Sequence, residues 1–240
     1  MLRIAVNGAL GRMGSRICAL AGEQPKNFKV LQTFDLSGGS ERLLPYANGE
    51  NKLSADVLID FSGPEGARWS AAAAHFSKKG LVIGSTGLDG QFAKKIKQIA
   101  KKIPVVLSSN MSVGVNVMLE LVEAAARKLP EDFALQMTEV HHCHKKDAPS
   151  GTALMLLGAI AEGRKWSAKR ALDQKSLIHS IREGEIIGDH TVLFSGPAET
   201  IEITHRAQSR DTFARGALIA AQFVSKKKKG LYTMKDVLAL

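Results

Sequence analysis

The chain of 240 residues is 45% hydrophobic, enough for a buried core in one large or two small domains. Only 5% of residues are aromatic while 22 are glycine, which excludes a sandwich packed around large rings and favours an α/β fold with close helix-to-strand packing. A net charge of +10 points to an acidic small molecule, and two distant cysteines, Cys18 and Cys143, exclude a secreted disulfide scaffold and suit a reducing cytoplasm.

The first apolar run, Leu2 to Val6, is followed at once by glycines, so it reads as a strand and not as a signal-peptide core or a membrane span. Further strands are predicted at Val30 to Phe34, Val57 to Phe61, Leu81 to Ile83 and Val105 to Leu107. Helices are predicted between them at Arg12 to Ala21, Gly66 to Lys79 and Gln91 to Lys102, with Pro104 helping to end the last. This alternation is the pattern of βα units in a doubly wound, Rossmann-type parallel sheet.

After Asn110 the texture changes. A helix is predicted near Val115 to Leu129, a break at Pro130, a strand from Phe133 to Val140, and then a polar loop rich in histidine. A helix starting near Thr152 precedes strands at Leu177 to Arg182, Thr191 to Phe194 and Glu199 to Ala207, which suggests a smaller α+β domain with a mixed or antiparallel sheet. A last helix from Phe213 to about Lys228 and the tail Leu231 to Leu240 carry apolar residues at helical spacing and can return to the first domain. The lysine runs (Lys78-Lys79, Lys94-Lys95 with Lys97, Lys101-Lys102, Lys226 to Lys229) fall on solvent faces and helix ends without interleaved aromatics. They read as a solvated surface, so neither nucleic acid nor membrane is an expected partner.

The first strand leads into Gly8-Ala9-Leu10-Gly11-Arg12-Met13-Gly14. Glycines at this place let the backbone turn tightly and approach a pyrophosphate, which the N-terminus of the following helix attracts. Asp35 ends the second predicted strand 21 positions after Gly14, where a carboxylate accepts hydrogen bonds from the adenosine ribose. It also fits a residue that starts the turn Leu36-Ser37-Gly38-Gly39, and the glycine turn upstream favours the ribose role. Leu36 offers no cation for a 2′-phosphate, so NADH is favoured over NADPH, with Arg12 and Arg42 keeping NADPH open. Gly84-Ser85-Thr86 and Ser108-Ser109-Asn110-Met111 follow the fourth and fifth strands, at the sheet edge where ligands of such folds bind.

The densest set of ionisable groups runs Glu139-Val140-His141-His142-Cys143-His144-Lys145-Lys146-Asp147-Ala148-Pro149-Ser150-Gly151-Thr152-Ala153. Adjacent ligands on an extended chain point to opposite sides, unlike the spaced ligands of structural zinc, so no metal is expected. Ser150, Gly151 and Thr152 open a helix whose N-H groups and hydroxyls can seat a carboxylate. Lys145 supplies a mobile charge or a proton, and His141 or His142 titrates near neutrality. Together they fit reduction of a polarised C=C or C=N bond. Each residue alone also fits a cap or a satisfied loop.

This segment is similar to the signature E-x-x-H-H-x-x-K-x-D-x-P-S-G-T-A of bacterial dihydrodipicolinate reductases. The resemblance extends to I-A-V-N-G-A-L-G-R-M-G, V-L-I-D-F-S-G-P-E-G, V-I-G-S-T-G, S-S-N-M-S-V-G-V-N-V-M, E-I-I-G-D-H-T-V, I-E-I-T-H-R-A-Q-S-R-D-T-F-A-R-G-A and G-L-Y-T-M-K-D-V-L. It implies a dinucleotide-binding domain over 1–111 and 213–240, a substrate-binding and oligomerisation domain over 112–212, and a homotetramer. It further implies reduction of a cyclic imine dicarboxylate to tetrahydrodipicolinate in lysine and diaminopimelate biosynthesis, with His141 as acid/base group and Lys145 as proton donor. His142, Ser150, Gly151 and Thr152 would contact substrate. Gly8 to Met13, Asp35, Gly84 to Thr86 and Ser108 to Met111 would hold NAD(P)H. The chain departs from the family's frequent Glu-Arg at Asp35-Leu36, is shorter over 163–176, and has Gly63 where some members have arginine. Two other readings are a reductase of the same architecture acting on another small acid, and a non-catalytic dinucleotide sensor.

Overall fold

The computed structural model describes residues 1–35 and 52–240, and the backbone alone of 41–42. The expectations placed on Leu36 and on the Arg42 side chain lie outside the described residues. In chain order the first elements are β1 Leu2–Asn7, α1 Arg12–Gly22, β2 Phe28–Asp35, β3 Glu41–Arg42, β4 Val57–Asp60 and α2 Pro64–Ser77. There follow β5 Gly80–Ile83, α3 Gly90–Ile99, β6 Pro104–Leu107, α4 Val113–Lys128, β7 Ala134–His141, α5 Gly151–Arg164 and α6 Ala168–Asp173. A 3-10 turn at Gln174–Leu177 leads to β8 Ile178–Arg182, β9 Asp189–Ser195, β10 Thr200–Arg206, α7 Asp211–Val224, β11 Gly230–Tyr232 and α8 Met234–Leu238. The chain divides into one compact unit of 1–113 with 210–239 and a second of 114–209.

In the first unit seven strands lie in the order β11-β6-β5-β4-β1-β2-β3, every neighbouring pair parallel. The central strands are buried on both sides and read as unbroken apolar runs, Val57 to Ile59 and Leu81 to Ile83 among them. One face carries α1 and α7, whose Ile17, Leu20, Ala217 and Ala221 meet Ile4, Val6 and Val82. The other carries α2 and α3, whose alanines and Phe92 and Ile96 meet Ala5, Leu58 and Leu81. Because β2 and β3 lie on one side of β1 while β4, β5, β6 and β11 lie on the other, the chain reverses its direction of growth between β1 and β4. That switch point is where open sheets of this kind bind ligands.

The C-terminal segment joins this unit by packing and by charge. Arg16 on α1 grips Asp211 on α7 with Nε and Nη2 at 2.6 and 2.7 Å. The tail differs from its predicted helical reading: Gly230–Tyr232 pairs with Pro104 to Val106 as the parallel edge strand β11 before the short α8. Pro104 is itself the first residue of β6, and α3 ends earlier, at Ile99. A proline is tolerated there because the start of a strand can forgo one donor.

In the second unit four strands lie in the order β10-β9-β7-β8, with β7 and β8 parallel and the other pairs antiparallel, the mixed sheet expected. One face is covered by α4 and α5, where Met118, Val122, Leu156 and Ile160 pack on Met137, Val192 and Phe194. Alternation along β7 and β9 therefore turns Met137, Glu139 and His141, and His190, Val192 and Phe194, toward the helices. The 163–176 stretch, shorter than is usual in the family it resembles, holds α6, capped by the Ser167 hydroxyl, which accepts from Arg170 N.

Candidate active site

At the switch point, the turn after β1 is shaped by two close approaches. Gly8 has φ +79°, and a Cβ on it would stand 2.6 Å from the carbonyl oxygen of Phe61. A Cβ on Gly14 would stand 2.1 Å from the carbonyl oxygen of Gly8, so α1 begins directly against the turn. Gly11 caps α1 with no side-chain acceptor, and no acidic residue lies in its first turn. No side chain of the first turn therefore answers the amides at this helix end, where an N-terminus ordinarily attracts negative charge. Leu10, Gly11 and Arg12 are exposed, Met13 is half-buried and Ala9 buried.

Asp35 ends β2 beside this turn, and its Oδ2 accepts from the Leu10 backbone N-H at 2.9 Å. The structure thus joins Asp35 to the glycine turn across 25 residues. Gly84 packs on the ring of Phe61, Ser85 is buried with its hydroxyl on Asp60, and Thr86 is exposed. Beyond β6, Ser108 Oγ donates to the Asn110 carbonyl at 2.8 Å, Asn110 Oδ1 accepts from Ser112 N at 2.9 Å, Ser109 is exposed and Met111 buried.

Sequence reasoning passed over Asp60. It is fully buried at the end of β4 and accepts from Asn7 Nδ2 at 2.8 Å, Ser62 Oγ at 3.0 Å, Ser70 Oγ at 2.6 Å and Ser85 Oγ. Burial pushes its pKa up, against the downward pull of these donors. The only signal was a carboxylate in an otherwise apolar strand, and a buried carboxylate must find partners. Asp60 thereby ties the ends of β1, β4 and β5 together under the glycine turn.

In the second unit, the loop after β7 is held against the loop after β8. His142 N donates to Ile186 O at 2.6 Å, Cys143 N to Gly184 O at 3.1 Å, and Glu183 N to His141 O at 2.8 Å. Strand register sets Glu139 opposite His190 on β9 and His141 opposite Arg182 on β8. Glu139 touches Nδ1 of His141 with Oε2, while its Oε1 accepts from Arg182 Nη2 at 2.8 Å and from Ser150 N at 3.2 Å. Burial pushes Glu139 toward the acid form, but hydrogen bonds from Arg182 and Ser180 and nearby positive charge outweigh it and leave its pKa lowered. Burial lowers the pKa of His141, with Lys145 and Arg182 acting in the same direction and Glu139 opposing them.

Ser150 caps α5, its hydroxyl accepting from Ala153 N at 3.1 Å and lying 3.3 Å from His190 Nε2. It is buried, whereas Gly151 is exposed and Thr152 half-buried at the head of the helix. The backbone start of α5 is therefore more open to a ligand than the Ser150 hydroxyl. Lys145 is half-buried, with Nζ 2.9 Å from Asp147 Oδ1. Nδ1 of His142 is buried without a hydrogen-bond partner among the described residues, the state of a polar group that a ligand can satisfy. His141, Lys145 and the opening of α5 thus gather at the end of β7, through groups that Glu139 and Arg182 hold.

Sequence reasoning also missed His190 and Arg182, whose placement depends on pairing between distant strands. Burial, with His141 beside it, lowers the pKa of His190 to about 3, so its ring is neutral. Ligand-capable atoms of Glu139, His141 and His190 lie within 4.8 Å of one another, as do those of the exposed Cys143, His144 and Glu185. In the buried set the carboxylate already faces the Arg182 guanidinium, and that charge opposes entry of a metal cation.

The family described as dihydrodipicolinate reductase, N-terminus, matches residues 2–111, and that described as dihydrodipicolinate reductase, C-terminus, matches residues 114–238. Relatives named 4-hydroxy-tetrahydrodipicolinate reductase include one from Aquifex aeolicus, 42% identical, the alignment covering 100% of this chain and 99% of the relative. Another, from Zymomonas mobilis, is also 42% identical and covers 100% and 98%. Among solved structures, the dipicolinate-bound dihydrodipicolinate reductase from Paenisporosarcina sp. TG-14 is similar in fold, with a TM-score of 0.80 at 23% identity over 98% of each chain.

Proposed function

The chain belongs to the dihydrodipicolinate reductase family, and on that premise we propose how its own residues carry the reaction. It is an NAD(P)H-dependent oxidoreductase that reduces 4-hydroxy-tetrahydrodipicolinate to tetrahydrodipicolinate in lysine and diaminopimelate biosynthesis. The dinucleotide fits the first unit, because the uncapped start of α1 offers amides for the pyrophosphate and Asp35 offers a carboxylate for the ribose. Gly8 to Met13, Asp35, Gly84 to Thr86 and Ser108 to Met111 are assigned to its binding, and NADH is the first choice because Asp35 repels a 2′-phosphate. When bound, NAD(P)H supplies the hydride.

The second unit provides for the dicarboxylate. The start of α5, from Ser150 to Thr152, seats one carboxylate, with the backbone N-H groups of Gly151 and Thr152 turned to it while that of Ser150 is held by Glu139, and Lys145 and His142 provide the remaining polar contacts. Lys145 delivers the proton that completes the reduction, and His141 acts as the acid/base group at the same site. The observation that carries this reading is the convergence of a carboxylate-backed histidine, a lysine and a helix N-terminus at the end of β7.

The face of the four-stranded sheet turned away from α4 and α5 displays Val140, Leu193, Thr138 and Thr191, half-buried side chains that suit packing against another sheet. We assign this face to the contacts of a homotetramer. Among the described residues no helix is long and apolar enough to cross a membrane. A reducing cytoplasm suits the free Cys18 and Cys143.

Purified protein supplied with freshly generated 4-hydroxy-tetrahydrodipicolinate is expected to consume NADH, followed by the loss of reduced nicotinamide absorbance. Absence of consumption with either dinucleotide at saturation refutes the reading.

A further inference from the structure

Glu139 is 1% exposed. Burying a carboxylate costs several kcal/mol unless partners surround it, and an apolar side chain would fill the same place on the helix-covered face of β7 without that cost. Its neighbours along that face, Met137, and across the sheet, Val192, show what ordinary packing there looks like. The partners of Glu139 come instead from three separate parts of the chain. Arg182 and Ser150 both donate to Oε1, Ser180 on β8 adds a hydrogen bond to the carboxylate, and Oε2 lies against His141 Nδ1.

We infer that Glu139 is a positioning residue: its Oε2 and Nδ1 of His141, which touch and have no other hydrogen-bond partner among the described residues, pair as acceptor and donor with the proton on Nδ1, so that Nε2 is the nitrogen left to handle protons, while Oε1 holds the Ser150 amide and so fixes the start of the anion seat to the same carboxylate. The inference rests on the reading of His141 as the acid/base group. The far side of the ring agrees with it. A Cβ on Gly188 would lie 2.9 Å from His141 Nε2 and 3.2 Å from Cδ2, so a residue without a side chain stands where Nε2 emerges. The His190 ring meets His141 edge-on at 5.1 Å and limits its rotation from β9. A carboxylate that sets the tautomer of a histidine is a means by which proton transfer is assigned to one nitrogen.

A carboxylate that merely ties β7, β8 and α5 together would leave the tautomer of His141 unaffected. Glu139→Gln separates the two roles. Arg182 and Ser150 are both donors, so they hold the amide oxygen of the substituted side chain and turn its NH2 group toward Nδ1. That reverses the His141 tautomer and leaves the size of the side chain unchanged.

Nitrogen NMR of histidine-labelled wild-type protein, with His141 assigned from the signal lost in His141→Gln, is expected to show the Nδ1–H form. Glu139→Gln is expected to show the Nε2–H form and a kcat lower by roughly 100-fold or more, with dinucleotide affinity unchanged. Glu139→Asp, which keeps the acceptor, is expected to keep the Nδ1–H form and to recover part of the rate. The Nε2–H form in the wild type overturns the inference, a measurement that does not depend on any variant folding. So does near-normal turnover of Glu139→Gln, or equal loss of activity in both variants. Full turnover by His141→Gln instead removes the reading of His141 on which the inference rests.

Discussion

A methyl group on Gly14 would stand 2.1 Å from the carbonyl oxygen of Gly8. Such a contact cannot be relieved by turning a side chain, because both partners are backbone, so Gly14→Ala must displace either α1 or the turn. The expected result is a lower melting temperature and a rise of at least roughly tenfold in the dissociation constant for NADH, since the helix N-terminus leaves its place. Gly22→Ala, at the end of the same helix where nothing lies within 4 Å of a Cβ, is the control and leaves binding unchanged. Equal behaviour of the two variants in calorimetric titration contradicts the argument.

Asp35 is held to the turn by Leu10 N, and in the proposed function its carboxylate is assigned to the ribose. We expect kcat/KM to be higher with NADH than with NADPH. Asp35→Ala is expected to lower the NADH value by roughly tenfold and to narrow the ratio, because it removes both the hydroxyl acceptor and the charge that repels a 2′-phosphate. A higher value with NADPH in the wild type refutes this assignment.

Lys145 sits 2.9 Å from Asp147 and carries the proton in the proposed reaction. Lys145→Ala is expected to lower kcat by roughly 100-fold or more while dinucleotide binding persists. Near-normal turnover in a steady-state assay takes Lys145 out of the mechanism.

His190 links the site to stability. Burial, helped by His141, His205 and Lys145 and opposed by Glu139, lowers its pKa from 6.5 in the unfolded chain to about 3. As pH falls below 6.5 the unfolded chain takes up a proton that the folded one refuses. Stability is therefore full above that pH and is lost by about 1.4 kcal/mol per pH unit below it, down toward the folded pKa. The lowered pKa of His141 adds in the same direction. Thermal melts at pH 7 and pH 5 are expected to show a smaller drop for His190→Gln than for the wild type. Equal drops in the two proteins exclude His190 as the source.

The elements legible in the sequence were those whose signal is local. The apolar runs of β1, β4 and β5, the glycine turn and the cap at Ser150 are read from neighbouring residues, because a strand buried on both faces and an N-cap each have a short-range cause. β11 was hidden because three residues, Gly230–Tyr232, owe their strand conformation to the open edge of β6. Asp60 was hidden because its donors come from β1, α2 and the loops after β4 and β5.

The sequence by itself determined the α/β class, the glycine turn after β1 and the residue types gathered between Glu139 and Ala153, since each is written in adjacent positions. Only the tertiary structure decided that Glu139 reaches Arg182 and Ser150 as well as His141, and that His190 lies opposite it. Those contacts depend on register between β7, β8 and β9. Register is set by which face of a sheet the helices bury, a condition that the whole second unit satisfies together and that no single stretch of chain records.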